Sequence, residues 1–401
     1  MVFDEEFSEI AKSIKASEIR ELLKVVQNPE IISLAGGLPS PDAFPVEVIR
    51  EIVDDLMEKE GPKVLQYGST DGVNSFRDVI VERATNKFGF SNIHRENVLI
   101  LAGSQQGLYL AAKIFVNRKD IVIVEAPTYV GVLTAFQSYF PTFVDIEMDK
   151  DGMNTHLLES KLKELKKEGK KPKLIYTIPT FQNPAGVTMN LERRKHLLEL
   201  AEEYNTLILE DGPYEELRYS GKDVPRIKSL DKNERVMYLG TFSKILSPGI
   251  RIAFMIAHED IIQKAILAKQ GVDLCTNTLS QYIAQEYIRR GYLDRQIPKI
   301  IKLYKEKRDT MLDSLEDYFP EGVDWTKPDG GMFLWVTLPK HVDAEKLFPK
   351  AIEHKVAYVV GSAFYPKRDH KNTMRLNFTY PSNEMIKEGI KRLASVIKEA
   401  L

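Results

Sequence analysis

Cysteine is nearly missing from this chain. The single copy, Cys275, cannot form an intrachain disulfide or build a cysteine-based zinc site. Such scarcity fits a reducing cytosol. An excess of one charge is missing too: 56 Lys and Arg face 58 Asp and Glu, for a net charge of −2. Composition therefore gives no electrostatic footprint for nucleic acid. The densest basic run, Lys161 to Lys173 (KLKELKKEGKKPK), reads as a solvated helix face and its loop. No apolar run approaches the length needed to span a bilayer, and the opening MVFDEEFSEIAKSIK lacks the apolar core of a signal peptide. These absences predict a cytoplasmic protein with no nucleic-acid or membrane partner. Plentiful Lys and Glu beside scarce Cys carry a weak thermophilic signature.

What is present is a chain of 401 residues, 43% hydrophobic and 28% charged, as in soluble globular proteins. That length accommodates two or three ordinary domains, or one large α/β unit with an appendage. Residues 4–27 carry apolar side chains at helical spacing, and Ile31–Leu34 reads as a short strand broken by the glycines and prolines that follow. From about 45 to 290, strand-like runs alternate with helical patterns: Val98–Leu101, Ile121–Glu125, Thr142–Ile146, Leu174–Ile178, Thr206–Leu209, Val236–Leu239 and Arg251–Ile256. Such alternation predicts a mostly parallel sheet covered by helices on both faces. Ser280–Tyr318 reads as one or two long helices with a break near Gly291 and Pro298. The remainder is α+β, with strands at Gly331–Val336, Val356–Val360 and Met374–Phe378 and a closing amphipathic helix at Asn383–Ala400.

Ligands of open α/β sheets collect beyond the carboxyl ends of the strands, so the residues just after each apolar run carry the chemistry. The richest set follows Val236–Leu239: Thr241, Ser243, Lys244 and Arg251 in GTFSKILSPGIRIA. A lysine among phosphate-seeking hydroxyls and a guanidinium points to an amine that forms a Schiff base with a phosphorylated aldehyde, of which pyridoxal 5'-phosphate (PLP) is the usual one. After Val98–Leu101, the small residues Gly103, Ser104 and Gln105 open a helix whose free N–H groups suit a phosphate. After Ile121–Val124 comes Tyr129, whose flat ring can stack on a flat cofactor. After Leu174–Ile178 comes Asn183, kept out of the helical region by Pro184 and free to donate to a phenolate oxygen. After Thr206–Leu209 comes Asp211, a carboxylate that a protonated pyridine nitrogen would pair, with Tyr214 three positions on. Taken singly, the glycine-rich turn reads first as structural, the tyrosine as core and the lysine as a solvated charge, while Asn183 and Asp211 fit an ordinary Asn-Pro turn and a surface acid as well as a site. Together they fall in one chain order, and Asn183, Asp211 and Lys244 stand 28 and 33 residues apart, each one strand–helix–strand unit.

On these residues, and on the motifs NPAG, DGPY, SKILSPGIR, GGMFLW and MRLNF, the chain resembles the class I/II, fold-type I PLP-dependent aminotransferases. It looks closest to the branch containing 2-aminoadipate, kynurenine and multisubstrate enzymes. The resemblance runs from Ser17–Glu21 and Ser33–Pro39 to Met374–Phe378. It implies an α/β fold with a large PLP-binding domain over 45–290, whose mostly parallel sheet is sandwiched by helices, and a small α+β domain built from 1–44 and 291–401. It implies Lys244 as Schiff-base lysine and proton shuttle, Asp211 on the pyridine nitrogen, Asn183 and Tyr214 on the ring hydroxyl, and Tyr129 stacked on the ring. Ser104, Gln105, Ser243 and Arg251 would bind the phosphate, with Thr241 beside them. Arg375 would fork onto the substrate α-carboxylate, helped by Asn183 and the backbone at Gly37. Tyr67 would reach the phosphate of a neighbouring subunit in a homodimer, and Arg20 would meet a distal carboxylate of acidic substrates. The implied reaction is ping-pong transfer of an amino group from an L-amino acid (2-aminoadipate, glutamate, aromatic or aliphatic) to a 2-oxo acid such as 2-oxoglutarate. A fold-type I C–S lyase would share Lys244, Asp211 and Arg375. A regulatory domain fused to a winged-helix DNA reader is disfavoured, because the stretch before Gly36-Gly37 is short and not basic.

Overall fold

The computed structural model describes residues 3–14 and 28–401. Its frame is an eight-stranded sheet in the order β2-β9-β8-β7-β6-β3-β4-β5. The strands are β2 (Val98–Leu101), β3 (Ile121–Ala126), β4 (Thr142–Asp149), β5 (Gly152–Met153), β6 (Pro172–Thr177), β7 (Leu207–Asp211), β8 (Val236–Thr241) and β9 (Ala253–Ile256). Neighbours from β8 through β7, β6 and β3 to β4 pair in parallel, while β9 runs against both β2 and β8, and β5 against β4. β2, β3 and β8 are buried at every position. That is what a parallel sheet covered on both faces requires, and it is why these strands read as continuous apolar runs.

A second sheet, in the order β10-β11-β14-β13, is antiparallel throughout; its strands are β10 (Asp324–Trp325), β11 (Phe333–Thr337), β13 (Val359–Val360) and β14 (Thr373–Asn377). The early segment joins this part of the chain. β1 (Ile32–Ser33) pairs in parallel with β12 (Val356–Ala357), and Asn377 N–H donates to Leu34 O at 2.8 Å. The Ala35–Gly37 turn is thereby carried next to β14, and so next to Arg375.

Several expectations need correction. Val356–Val360 is not one strand: the chain changes partner at Tyr358, whose hydroxyl donates to Ala344 O at 2.6 Å. The long helical stretch breaks at Gly291, which takes a left-handed φ of 69° between the helices Thr278–Arg289 and Tyr292–Tyr318. It does not break at Pro298. That proline sits inside the second helix, where a buried stripe of Ile297, Ile300, Tyr304, Met311 and Leu315 outweighs one lost hydrogen bond. Of the helix expected over 4–27, Glu9–Ser13 is helical, with no buried residue, and Ile14 is extended; 15–27 lie outside the described residues. β9 starts at Ala253, not Arg251, because Arg251 takes a left-handed φ of 54° that turns it out of the ladder. No helix among the described residues is long and apolar enough to cross a membrane.

Candidate active site

β2, β3, β6, β7 and β8 run in the same direction, so their carboxyl ends share one edge of the sheet. Register explains why β7 contributes a charge. Its ladder with β8 extends to Asp211 itself, opposite Leu239, so the carboxylate is fixed by the sheet and is 2% exposed. Tyr176 Oη donates to Asp211 Oδ2 at 2.9 Å, and Asp211 Oδ1 is buried without a partner. Burial raises the Asp211 carboxyl to about 7; the Tyr176 hydrogen bond opposes that rise and nearby Glu215 adds to it. Tyr176 escapes a reading of the sequence alone, where it is one member of the apolar run Leu174–Ile178. The available signal was its register beside Leu209, which puts it on the same face as Asp211.

Asn183 lies in the loop after β6. Its Nδ2 donates to Tyr214 Oη at 3.0 Å, and its Oδ1 accepts from Arg375 Nη1 at 2.9 Å. Arg375 is 3% exposed on β14 and also donates through Nη2 to Ala35 O at 2.9 Å. Its guanidinium lies 4.1 Å from the Phe333 ring centroid and 5.1 Å from that of Phe364. Arg375 Nε is buried and unpartnered. Burial lowers Arg375 to about 10. Ala35 O thus holds Arg375, while the nearby Gly37 O accepts from Lys244 Nζ at 2.9 Å.

Lys244 stands on the turn after β8. Among the described residues no carboxylate pairs with it. Desolvation, then the nearby charges of Arg375 and Arg251, lower it to about 8. Tyr129 connects these groups: burial raises its hydroxyl, and it lies in the fields of Asp211, Arg375 and Arg251. Its ring folds over Gly131, where an added Cβ would lie 2.2 Å from ring carbon Cε1.

The anion-seeking end gathers around Gly103, which caps the helix Ser104–Phe115 at φ +93°. A Cβ at Gly103 would lie 2.1 Å from Arg251 Nη2. The guanidinium thus occupies the space that only glycine leaves free, and Nη2 also donates to Ala102 O at 3.3 Å. Thr241 Oγ1 donates to Ser243 Oγ at 3.0 Å, and Ser243 N–H donates to Thr241 Oγ1 at 3.2 Å. Gln105 Nε2 donates to Gly131 O at 2.9 Å, tying this turn to the one that carries Tyr129. Gln182 braces two other loops. Its Nε2 donates to Glu125 Oε2 at 3.0 Å and Pro127 O at 2.9 Å, and its Oε1 accepts from Ala185 N–H at 2.8 Å.

Two expected members stand apart. Tyr67 is 79% exposed, with no hydrogen bond to the cluster among the described residues. Arg20 lies outside the described residues.

The residues fit PLP. A buried carboxylate oxygen without a partner suits a protonated ring nitrogen, the glycine-lined turn under Arg251 suits a phosphate, and an unpaired lysine with a lowered pKa suits an aldehyde. The comparisons agree. The profile for "Aminotransferase class I and II" matches residues 29–393. The chain is 55% identical over 399 residues to aromatic-amino-acid aminotransferase 1 of Thermococcus litoralis, covering 100% of this chain and 95% of that one. It is 38% identical over 402 residues to the 2-aminoadipate transaminase of Thermus thermophilus, covering 100% and 98%. The structure of Pyrococcus horikoshii kynurenine aminotransferase in complex with PMP superposes with a TM-score of 0.97 at 54% identity, covering 100% and 99%. A buried acid, an unpaired lysine and an anion-seeking turn at one sheet edge thus meet a match over nearly the whole chain: it belongs to the class I and II aminotransferases, PLP-dependent enzymes of fold type I, in the branch of the aromatic, 2-aminoadipate and kynurenine enzymes.

Proposed function

We propose that this aminotransferase takes its amino group from aromatic and acidic L-amino acids and delivers it to a 2-oxo acid such as 2-oxoglutarate, in ping-pong fashion. The names of the relatives support this range. The observation that carries the site assignment is the electrostatic contrast at one sheet edge: a lysine with no counter-ion among the described residues follows β8, and a carboxylate with one bare oxygen ends the adjacent β7. PLP supplies a carbonyl carbon for the amine and a ring that draws off electron density. Ser104, Gln105, Ser243 and Arg251, with Thr241, would hold its phosphate; Asn183 and Tyr214 its ring hydroxyl; Tyr129 its ring face; and Asp211 its ring nitrogen. Arg375 would orient the substrate by its α-carboxylate, and Lys244 Nζ in its uncharged form would take the α-proton and return it. Asn183 touches both Tyr214 and Arg375, so one amide aligns the cofactor end with the substrate end.

Residues 45–290 are the large domain in this reading, and 1–44 with 291–401 the small one. The assembly is a homodimer in the cytoplasm. Leu65 and Tyr67 are each more than half exposed beside Gly68, which lies against Thr278, and supply apolar surface for a second copy to cover.

The deciding experiment follows the visible absorbance of the PLP-loaded protein while amino acids are added, then assays the amino acid formed from 2-oxoglutarate. Bleaching by aromatic and acidic donors with glutamate formed is expected. Pyruvate release from a cysteine conjugate without any acceptor would instead identify a lyase.

A further inference from the structure

Among the described residues the Asp211 carboxylate receives one hydrogen bond, and it comes from Tyr176. Both side chains are buried, at 2% and 0% exposure. Oη donates to Oδ2 at 2.9 Å, and Oδ1 has no partner. Among the described residues no cation pairs with Asp211. The charge that acts on it is Glu215, which repels the anion and is itself held by Arg226 Nε at 2.9 Å. A carboxylate with one donor and no counter-ion has two ways to fail: it can rotate about Cβ–Cγ, or it can take up a proton. The phenol opposes both. It fixes the plane of the carboxylate by holding one oxygen, and it stabilises the anion. β6 places it there: Tyr176 lies beside Leu209, two positions before Asp211 on the same face.

We infer that Tyr176 is a positioning residue of the transamination site, one that fixes the orientation of the Asp211 carboxylate and sets how strongly Asp211 competes for the ring-nitrogen proton. This rests on the reading of Asp211 as the partner of that nitrogen. A stronger donor at position 176 makes Asp211 less basic and leaves the proton on the ring. Without a donor, Asp211 becomes more basic and draws the proton to itself. The ordinary alternative is a strand tyrosine whose hydroxyl merely needs an acceptor. That alternative predicts a change in stability and nothing at the ring.

The test loads the protein with ring-15N-labelled PLP and compares wild type with Tyr176→Phe, with 3-fluorotyrosine at position 176, and with Asp211→Asn. Tyr176→Phe should shift the nitrogen signal toward the unprotonated form, weaken PLP binding about tenfold and lower kcat about tenfold, leaving KM for the amino donor within about twofold. The more acidic fluorophenol should shift the signal the opposite way, and because it keeps the side-chain shape it decides the matter even if the phenylalanine variant fails to fold. An unmoved nitrogen signal with unchanged PLP affinity, or fluorotyrosine and phenylalanine shifting the signal in the same direction, overturns the inference. If Asp211→Asn also leaves the signal unmoved, the failure lies in the reading of Asp211; if Asp211→Asn moves it and the Tyr176 variants do not, the failure is that of Tyr176 alone.

Discussion

Arg375 and Asn183 are 192 residues apart in sequence and 2.9 Å apart in space, joined from Nη1 to Oδ1. Asn183 spends its other end on Tyr214. Substrate recognition and cofactor recognition therefore share a residue. Arg375→Ala should weaken every amino acid substrate alike, raising KM by the equivalent of about 1.5–3 kcal/mol, the worth of a charged fork. Arg375→Lys should recover only part of this, because an ammonium cannot donate to Asn183, Ala35 and a carboxylate in one plane. Steady-state constants for an aromatic and an acidic donor check it; a loss confined to one donor class would assign Arg375 to side-chain reading instead.

Lys244→Ala should lower kcat by about four orders of magnitude or more while the melting temperature stays near that of the parent, since among the described residues the side chain makes one hydrogen bond, to Gly37 O. With its amine lowered to about 8, the wild-type lysine is neutral above that pH. The rate at which cofactor-free protein takes up PLP should then climb as pH rises through about 8, and stopped-flow absorbance would record it. A flat profile counts against an unpaired lysine.

Three buried carboxyls, Glu125, Glu210 and Asp211, are each raised to about 7 by burial. A carboxyl with a folded pKa above its unfolded value holds a proton that the unfolded chain has already released. Its stabilising contribution is complete below about pH 4 and is lost as pH rises through about 7. The cofactor-free protein should therefore lose melting temperature between about pH 4 and 7, and Asp211→Asn should flatten part of that slope. Bound PLP should flatten it as well, by giving Asp211 a cation. Parallel melting curves for the two proteins across this range would contradict the assignment.

Gly103→Ala places a methyl where Arg251 Nη2 now lies, on a backbone at φ +93°. Strain alone should cost about 1–2 kcal/mol. Displacement of Arg251 should weaken PLP binding further, which a spectrophotometric titration separates from the change in melting temperature.

If Tyr67 serves a neighbouring subunit, chains carrying Lys244→Ala and chains carrying Tyr67→Ala should complement when mixed. Each hybrid dimer would then regain one intact site. Activity of the mixture no higher than that of the Tyr67→Ala protein alone would exclude sharing.

Much of this site was legible because a parallel sheet puts its chemistry at predictable places. Asn183, Asp211 and Lys244 each follow an apolar run, and the structure gathers their surroundings at one edge. The features that escaped depend on partners distant in sequence. Tyr176 reads as one more apolar strand residue until β7 is laid beside β6. Pro298 reads as a helix stop until the buried stripe around it is seen to hold the helix together. Val356–Val360 has the composition of one strand, and nothing local shows that its halves pair with different sheets. Arg251 reads as the start of β9, yet its left-handed backbone is what aims it at Gly103.

The amide of Gln182 has every hydrogen-bonding position but one acceptor lone pair engaged, reaching Glu125, Pro127 and Ala185 at once. Two segments far apart in sequence, one leading to Tyr129 and the other bearing Asn183, are thus riveted at a single joint. Neither can drift without dragging its counterpart. Loosening that rivet would blur the enzyme's grip on vitamin and amino acid together, although Gln182 itself need touch neither.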